Sequence, residues 1–118
     1  MPDCLFCRIA AGEIPSDRVK ETERVLAFRD INPGAPQHIL LIPKEHVASS
    51  VADLAVDEPE GARTWAELLA VAQAIAGSGS EFADGWRLVG NVGEDASQSV
   101  FHLHLHLLAG RRFSWPPG

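Results

Sequence analysis

Residues 100–108 read Val-Phe-His-Leu-His-Leu-His-Leu-Leu, and this stretch decides how the whole chain is interpreted. Along a β-strand, side chains alternate between the two faces of the sheet. If residues 100–109 form one strand, three histidines therefore share one face and three leucines share the other. The two sets are His102, His104 and His106, and Leu103, Leu105 and Leu107. Leucines are typical of a buried face, whereas three of the chain's five histidines at strict alternation need another explanation.

Three interpretations of these histidines follow from the spacing. The first, ordinary surface or half-buried side chains on an edge strand, accounts poorly for the strict alternation. The second is one metal ion held by all three rings. His102 and His106 would then lie roughly 13 Å apart at the backbone, so bonds of about 2 Å to one ion would strain the strand. The third, which we favour, gives the three rings different roles.

The rest of the sequence predicts an α+β fold, with a mostly antiparallel sheet of about five strands and one long and one short helix. We expect the short helix over residues 4–11, with Asp3 as its N-cap and Gly12 as its C-cap. Strands are expected over residues 18–21, 24–30, 38–43, 86–92 and 100–109. The first two form a hairpin, and the nearly continuous apolar stretch 38–43 suits a strand covered on both faces.

The long helix is expected to begin near Asp57, with Glu60 three residues on in a capping-box arrangement, and to end at residues 77–80. Its apolar residues recur at helical spacing and predict one face against the sheet. They are Trp65, Leu68, Leu69, Ala72, Ile75 and Ala76. Residues 31–37 and 93–99 are rich in turn-forming or polar residues and are predicted loops.

The composition and net charge limit which kinds of fold and ligand are compatible with the chain. The 118 residues are 46% hydrophobic and 22% charged, which predicts one folded domain over residues 1–118. The formal net charge of −6 argues against binding a nucleic acid but leaves room for a small anionic ligand. No apolar run approaches the roughly 18 residues that cross a bilayer, and the start does not read as a signal peptide. We therefore expect no membrane association and a cytoplasmic location.

The two cysteines, Cys4 and Cys7, lie at i and i+3 on one face of the predicted short helix. In a reducing cytoplasm this spacing indicates a metal pair or a redox pair before it indicates a structural disulfide. The spacing alone does not choose between the two.

Residues 102–108, His-Leu-His-Leu-His-Leu-Leu, resemble the His-φ-His-φ-His-φ-φ signature of the histidine triad (HIT) family, where φ is an apolar residue. The resemblance continues at residues 3–15, 26–43, 91–93 and 98–100, so it spans nearly the whole chain. The ending Trp-Pro-Pro-Gly, in the tail of residues 110–118, resembles the nucleotide-binding branch that contains the purine nucleoside phosphoramidases.

The resemblance implies a nucleotide-binding hydrolase that cleaves purine nucleoside 5′-phosphoramidates, that is, AMP or GMP joined to an amine. It makes His104 the nucleophile, which forms a nucleotidyl-histidine intermediate that water then hydrolyses. It places His38 beside the triad as an orienting residue. His106 and Ser99 would contact the phosphate or the leaving group, and Asn91 would donate to a phosphate oxygen or the ribose.

The resemblance also implies how the nucleotide is held. Backbone donors near Gln98 and Ser99 would complete an anion cradle, and Asp30 would accept hydrogen bonds from the ribose hydroxyls. An apolar slot for the base would be lined by Leu5, Phe6, Ile9, Phe28 and Ile31. Ordinary alternatives exist, since Asn and Ser are common in turns and the five apolar residues suit a plain core.

A metal site is implied by the same resemblance. Adding His46 and His102 to Cys4 and Cys7 gives a Cys₂His₂ set that suits tetrahedral zinc, and several similar bacterial proteins hold a structural zinc in this way. We expect structural Zn²⁺ that pins the short helix to the sheet, and no catalytic metal. Free thiols and a redox pair are the alternatives.

The resemblance further implies a homodimer whose two sheets join into one. Trp115 would then reach the partner's active site, unless the tail is a loose terminus. One departure concerns the loop before the triad, where Ala96 and Ser97 stand in place of a glycine pair of eukaryotic relatives. This departure affects the expected substrate range more than the identity of the attacking residue.

Three other functions remain open. A dinucleoside polyphosphate hydrolase or nucleotidyl transferase would keep His104 and change the leaving group and acceptor. A nucleotide-sensing scaffold would bind AMP tightly and keep its function in the His104→Ala variant. A plain zinc-binding module would leave Asn91, Ser99 and Asp30 unexplained.

Overall fold

The computed structural model describes residues 4–118 and places five strands in one sheet. The strands are β1 (Arg18–Glu21), β2 (Val25–Arg29), β3 (Gln37–Pro43), β4 (Trp86–Val89) and β5 (Leu105–Ala109). Their order is β1-β2-β3-β5-β4, and each neighbouring pair is antiparallel. The helices are α1 (Leu5–Ala10) and α2 (Pro59–Ala76), with short 3₁₀ turns at Ser80–Phe82 and Glu94–Ala96. The predicted α+β fold is confirmed.

The central strand β3 is apolar because both of its faces are covered. Ile39 and Leu41 pack into the core beneath α2, whereas Leu40 and Ile42 pack into a second core beneath α1. From residue 39 to the end of the strand every side chain is buried. The prediction of a strand covered on both faces is confirmed.

Each helix packs its apolar face on one side of the sheet. The buried residues of α2 include Leu68, Val71 and Ile75, which follow the predicted helical spacing. On the other side, α1 buries Phe6 and Ile9 in the second core. The sheet is therefore the middle layer between a long and a short helix.

Strand β5 is shorter than predicted, because it begins at Leu105 rather than at residue 100. His102 lies at a bend, and the backbone N–H of Leu103 donates to the carbonyl of Ala48 in the loop after β3, at 2.9 Å. The bend carries the fully buried His102 side chain toward α1. The faces still divide as predicted, since Leu103 and Leu107 lie in the core beneath α2.

The helix ends also differ from the predictions. The capping box at Asp57 is wrong: Glu58 is the N-cap of α2, its side chain makes no capping hydrogen bond, and a proline follows in the first turn. Proline favours this position because its fixed φ suits a helix and the N–H that it lacks has no helical partner there. In α1, Cys4 is the N-cap; the predicted N-cap Asp3 lies outside the described residues. Ala11 is the C-cap, and Gly12 follows with φ +81°.

Besides β5, two other strands are shorter than predicted. β2 spans Val25–Arg29, within the predicted residues 24–30, and β4 ends at Val89 rather than at residue 92. Within residues 4–118, neither helix combines the length and the apolar character that crossing a bilayer requires.

Candidate active site and metal centre

His104 lies immediately before β5, with its two ring nitrogens in different environments. Its Nδ1 lies 2.8 Å from the backbone oxygen of His102 and donates to it, because a carbonyl can only accept. A neutral ring with its proton on Nδ1 leaves the Nε2 lone pair free. The ring is 8% exposed and meets the Phe6 ring edge-on, with centroids 5.1 Å apart. Nε2 of His104 is therefore an unprotonated ring nitrogen with a free lone pair.

A separate chain of hydrogen bonds orients His38 and His106. The backbone N–H of Gly34 donates to Nδ1 of His38 at 2.8 Å, so a neutral His38 carries its proton on Nε2. That Nε2 lies 2.9 Å from Nδ1 of His106 and donates to it. His106 then carries its proton on Nε2, a buried atom without a partner among the described residues. Because the His104 and His106 ring centroids are 5.1 Å apart, a free N–H donor lies beside the His104 ring.

The surroundings keep both of these rings neutral. Burial lowers the pKa of His38, against the opposing effect of the Asp30 carboxylate. Burial, together with His104 and His38, lowers the pKa of His106 to about 4, again against Asp30. Neutral rings are what the chain from Gly34 to His106 requires, because each must accept one hydrogen bond on Nδ1.

Asp30 lies beside His38 rather than apart from the triad. Its Oδ1 accepts from the backbone N–H of Asn32 at 2.9 Å, and its Oδ2 lies 3.4 Å from Nε2 of His38. Asp30, His38 and His106 are close enough together to suggest a metal site. The hydrogen bond from Gly34 argues against one, because it leaves the His38 proton on the nitrogen that would have to bind the ion. The predicted role of Asp30 toward ribose stays a prediction.

The loop before the triad is held together by Gln98. Its side-chain oxygen accepts from the backbone N–H of Gly93 at 2.9 Å, and its amide group donates to the carbonyls of Ser49 and Val100 at 2.8 and 3.2 Å. Its backbone N–H donates to the carbonyl of Gly93 at 3.1 Å. These bonds leave Gln98 no free backbone donor for a phosphate. The predicted anion cradle would therefore have to use Ser99 in place of the backbone N–H of Gln98.

Ser99 and Asn91 differ from Gln98 because their side chains have no hydrogen-bond partner in the described part of the chain. Ser99 is exposed, and Asn91 is half-buried just beyond the end of β4. Both are therefore available to a ligand, and their roles stay predictions.

The five residues of the predicted base slot fall into two groups. Phe6, Ile9 and Phe28 are buried in the core beneath α1, whereas Leu5 and Ile31 are 44% and 92% exposed. The contact of Phe6 with His104 is not apparent from sequence, because the two residues are 98 positions apart and Phe6 reads as plain helix core. The amide of Gly34 has no sequence signal either, beyond the turn-rich loop that contains it.

The second cluster joins the predicted metal ligands. Sγ of Cys4 lies 3.3 Å from Nδ1 of His102, and Sγ of Cys7 lies 3.5 Å from the same nitrogen and 3.6 Å from Nδ1 of His46. All four donor atoms lie within 4.8 Å of one another. Tetrahedral zinc, with bonds of about 2.3 Å to sulfur and 2.0–2.1 Å to nitrogen, separates these ligand types by roughly 3.6 Å. The spacing of the donors therefore fits zinc.

The protonation of the cluster fits a cation as well. Nε2 of His102 donates to the carbonyl of Pro43 at 2.7 Å, which leaves Nδ1 unprotonated and facing both sulfurs. Burial raises the pKa of the Cys7 thiol, and the adjacent Cys4 raises it further. A thiol with a raised pKa is a poor candidate for a reactive thiolate unless a cation stabilises its charge.

The C-terminal tail is anchored to the edge strand. The Arg87 guanidinium of β4 lies over the Phe113 and Trp115 rings, at 5.2 and 6.0 Å from their centroids, and donates to the carbonyl of Ser114. The Arg111 guanidinium also lies over the Phe113 ring, 4.5 Å from its centroid. Trp115 itself is 82% exposed. The tail is thus held in place while it presents an aromatic ring to its surroundings.

Comparisons with known proteins show the family to which the chain belongs. The sequence profile of the HIT domain matches residues 11–113. A 14 kDa zinc-binding protein of Zea mays is 48% identical over 97% of this chain and 87% of that protein. Adenylylsulfatase HINT1 of Arabidopsis thaliana is 44% identical over 97% of this chain and 76% of that protein. The crystal structure of a HIT family hydrolase from Legionella pneumophila has 46% identity and a TM-score of 0.89, covering 98% of this chain and 100% of that one.

Proposed function

The chain belongs to the HIT domain family, and on this premise we propose that it is a nucleotide-binding hydrolase that cleaves purine nucleoside 5′-phosphoramidates. The observation that carries the proposal is the 2.8 Å hydrogen bond from Nδ1 of His104 to the carbonyl of His102. It leaves Nε2 of His104 as an uncharged nucleophile with a free lone pair. The hydrolase name of the Legionella relative supports the same class of reaction.

In the first step, Nε2 of His104 attacks the α-phosphorus and the bond from phosphorus to the leaving nitrogen breaks. The departing amine takes the bonding electron pair and a proton, for which the Ser99 hydroxyl is the proposed donor. The carbonyl of His102 stabilises the positive charge that develops on the ring, because it accepts from Nδ1. The product of this step is a nucleotidyl-histidine.

In the second step, water attacks the same phosphorus and gives a proton to the Ser99 oxygen, which restores the hydroxyl used in the first step. The bond to Nε2 of His104 breaks, its electron pair returns to the ring, and AMP or GMP is released. The Nε2–H of His106 is the proposed donor to a phosphate oxygen in both steps, since that group is buried beside His104 and otherwise unpaired. His38 holds His106 in the tautomer that this role requires. The side chain of Asn91 provides a further donor.

Binding of the nucleotide is assigned to the face beneath α1. Asp30 accepts from the ribose, and the exposed side chains of Leu5 and Ile31 form the accessible part of the base slot. Phe6, Ile9 and Phe28 form the floor behind them. An apolar slot of this kind recognises a base by stacking and shape, so the preference between adenine and guanine is mild.

We assign Cys4, Cys7, His46 and His102 to a structural Zn²⁺. These residues would hold the ion so that α1 is crosslinked to the segment before β5, and the ion would make no contact with the reacting phosphate. The name of the maize relative, a zinc-binding protein, supports the assignment.

We also propose a cytoplasmic homodimer that forms along β4. This strand pairs with β5 on one side, and its other edge is unpaired within the described residues. An unpaired edge is a ready site for strand addition, and a second copy of the chain would extend the sheet across the dimer.

One observation favours a second leaving group. The Arabidopsis relative is named an adenylylsulfatase, so sulfate is a candidate in place of an amine. The nucleophile and the intermediate would be the same. Two further candidate reactions would also keep His104 as the nucleophile. Hydrolysis of dinucleoside polyphosphates would change the leaving group, and transfer to a nucleotide would change the acceptor.

The test incubates the protein with adenosine 5′-monophosphoramidate and follows AMP release and adenylylation of the protein. Wild type should release AMP, and rapid quenching in alkaline denaturant, in which a bond from phosphorus to a histidine nitrogen survives, should trap an adenylylated form. His104→Gln should do neither, yet should still bind AMP and unfold near the wild-type temperature. A His104→Gln variant that keeps its turnover would overturn the proposal. Adenylyl sulfate and diadenosine tetraphosphate, assayed in parallel, would rank the leaving groups.

A further inference from the structure

We infer that the Cys₂His₂ cluster is a positioning device for the nucleophile, acting on His104 through His102 and Phe6. This inference rests on the proposed function, because it concerns how the attacking ring is held. It goes beyond a structural role for the cluster, since metal loading would then change the chemical step as well as the stability of the fold.

His102 is the first link because it belongs to both sites. Its Nδ1 faces the two sulfurs at 3.3 and 3.5 Å, and its Nε2 donates to the carbonyl of Pro43. The backbone oxygen of the same residue accepts from Nδ1 of His104. The side chain is 0% exposed, so the ring cannot turn without disturbing its neighbours. Ligation of the ring therefore restrains the carbonyl that selects the tautomer of His104.

Phe6 is the second link. It lies in α1 between Cys4 and Cys7, and its ring meets the His102 ring at 5.9 Å and the His104 ring at 5.1 Å between centroids, both edge-on. Because both cysteines flank it, a metal that holds the two sulfurs also holds this ring against the nucleophile. His104 is therefore restrained on two sides, by the His102 carbonyl and by the Phe6 ring. The cluster joins the two segments that carry these groups.

Without a cation the restraint weakens for a chemical reason. Only contacts with sulfur at 3.3 and 3.5 Å would then hold Nδ1 of His102, and hydrogen bonds of sulfur are weak compared with a metal bond. α1 has six residues, too few to be stable alone, so its position depends on packing and on this crosslink. Displacement of the His102 carbonyl would let the His104 proton move to Nε2, which removes the nucleophilic lone pair.

The experiment compares zinc-loaded protein, protein stripped by a chelator, and protein reloaded with cadmium. Metal content is measured for each, and nitrogen NMR of the ring identifies the His104 tautomer in the absence of substrate. Loaded protein should show one tautomer, protonated on Nδ1, and stripped protein a mixture. The kcat for the phosphoramidate should fall about 10-fold or more on stripping, with KM changed less than about 2-fold, and cadmium should restore both readouts.

Two variants and a control extend the test. Cys7→Ser should lose metal and reproduce the stripped state, whereas Cys7→Asp, which keeps an anionic ligand, should recover part of the kcat. Phe6→Leu should keep the metal but broaden the His104 tautomer distribution. Ile75→Val, in the core on the opposite face of the sheet, should lower stability without changing the tautomer.

The outcomes separate this inference from the proposed function. A stripped protein with one unchanged tautomer and full kcat would overturn the inference and leave the function intact. If His104→Gln kept its turnover, the function would fail, and the NMR comparison would still decide whether the cluster orients the ring. If Cys7→Ser does not fold, wild-type protein stripped by the chelator provides the metal-free state for the same comparison.

Discussion

The backbone N–H of Gly34 lies 2.8 Å from Nδ1 of His38 and donates to it. This one contact sets the direction of the chain that runs through His38 to His106, because an amide nitrogen can only donate. It also makes the chain sensitive to acid. Protonation of His38 or His106 would put a second proton on the ring, at the Nδ1 atom that accepts a hydrogen bond in this chain.

The first prediction concerns the pH dependence of stability. The pKa of His106 is lowered from 6.5 to about 4 in the folded protein, so between these values the unfolded chain binds a proton that the folded protein does not. Its contribution to the free energy of unfolding is therefore constant above pH 6.5, decreases as the pH falls toward 4, and is constant again below that.

Urea unfolding of wild type and His106→Asn at a series of pH values checks this. Subtracting one curve from the other cancels the carboxylates, which titrate in both proteins. The wild type should lose stability relative to the variant as the pH falls from about 6.5 to about 4. Two parallel curves would show that the His106 pKa is not lowered.

The second prediction concerns Gly61, in the first turn of α2. A Cβ at this position would overlap the backbone carbonyl of Ala55, which cannot move aside as the end of a side chain could. Gly61→Ala should destabilise the protein by about 1–3 kcal/mol in urea unfolding, although alanine is the better helix former. Ala62→Ser, at the exposed next position, should change stability by less than about 0.5 kcal/mol. A stabilised Gly61→Ala would contradict the contact.

The third prediction concerns Leu107, which is 0% exposed and lies opposite Ile39 across the pair of β5 and β3. Leu107→Ala leaves a cavity in the core beneath α2 and should lower the free energy of unfolding by about 2–5 kcal/mol. Val56→Ala, at a 53% exposed site, is the matched truncation and should cost less than about 0.5 kcal/mol. Equal losses would mean that the burial of Leu107 is wrongly described.

The fourth prediction concerns Arg87 and the tail. Arg87→Ala removes the guanidinium that lies over Phe113 and Trp115, an interaction of about 0.5–1 kcal/mol at an exposed site. Release of Trp115 should change the ratio of kcat/KM for a bulky aromatic amine and for ammonia as leaving groups by about 2- to 5-fold. Arg63→Ala, at an exposed ion pair on α2, should leave the ratio unchanged. An unchanged ratio in Arg87→Ala would show that the position of the tail does not affect the leaving-group preference.

Several features follow from local sequence because they depend on periodicity. Alternation in residues 100–108 predicts which side chains face the core, and Leu103, Leu105 and Leu107 are all buried there. The apolar run of β3 predicts coverage on both faces, and the helical spacing of α2 predicts its buried stripe. These patterns survive errors in the element bounds, since a side chain keeps its face when a strand starts five residues later.

The arrangement of the site could not be read in this way. The bend at His102, the amide of Gly34 beside His38, and the hydrogen bonds that occupy Gln98 involve partners that no spacing indicates. Likewise, the meeting of Cys4 and His102 across 98 residues depends on how α1 packs on the sheet.

The sequence by itself therefore determined the fold class, the core faces and the family, because repeating patterns of apolar and polar residues encode which side of each element is buried. The tertiary structure alone decided which nitrogen of each histidine carries its proton and which sulfur faces which ring. Those choices depend on directional contacts of about 3 Å between distant segments, and such contacts exist only after the helices have packed on the sheet.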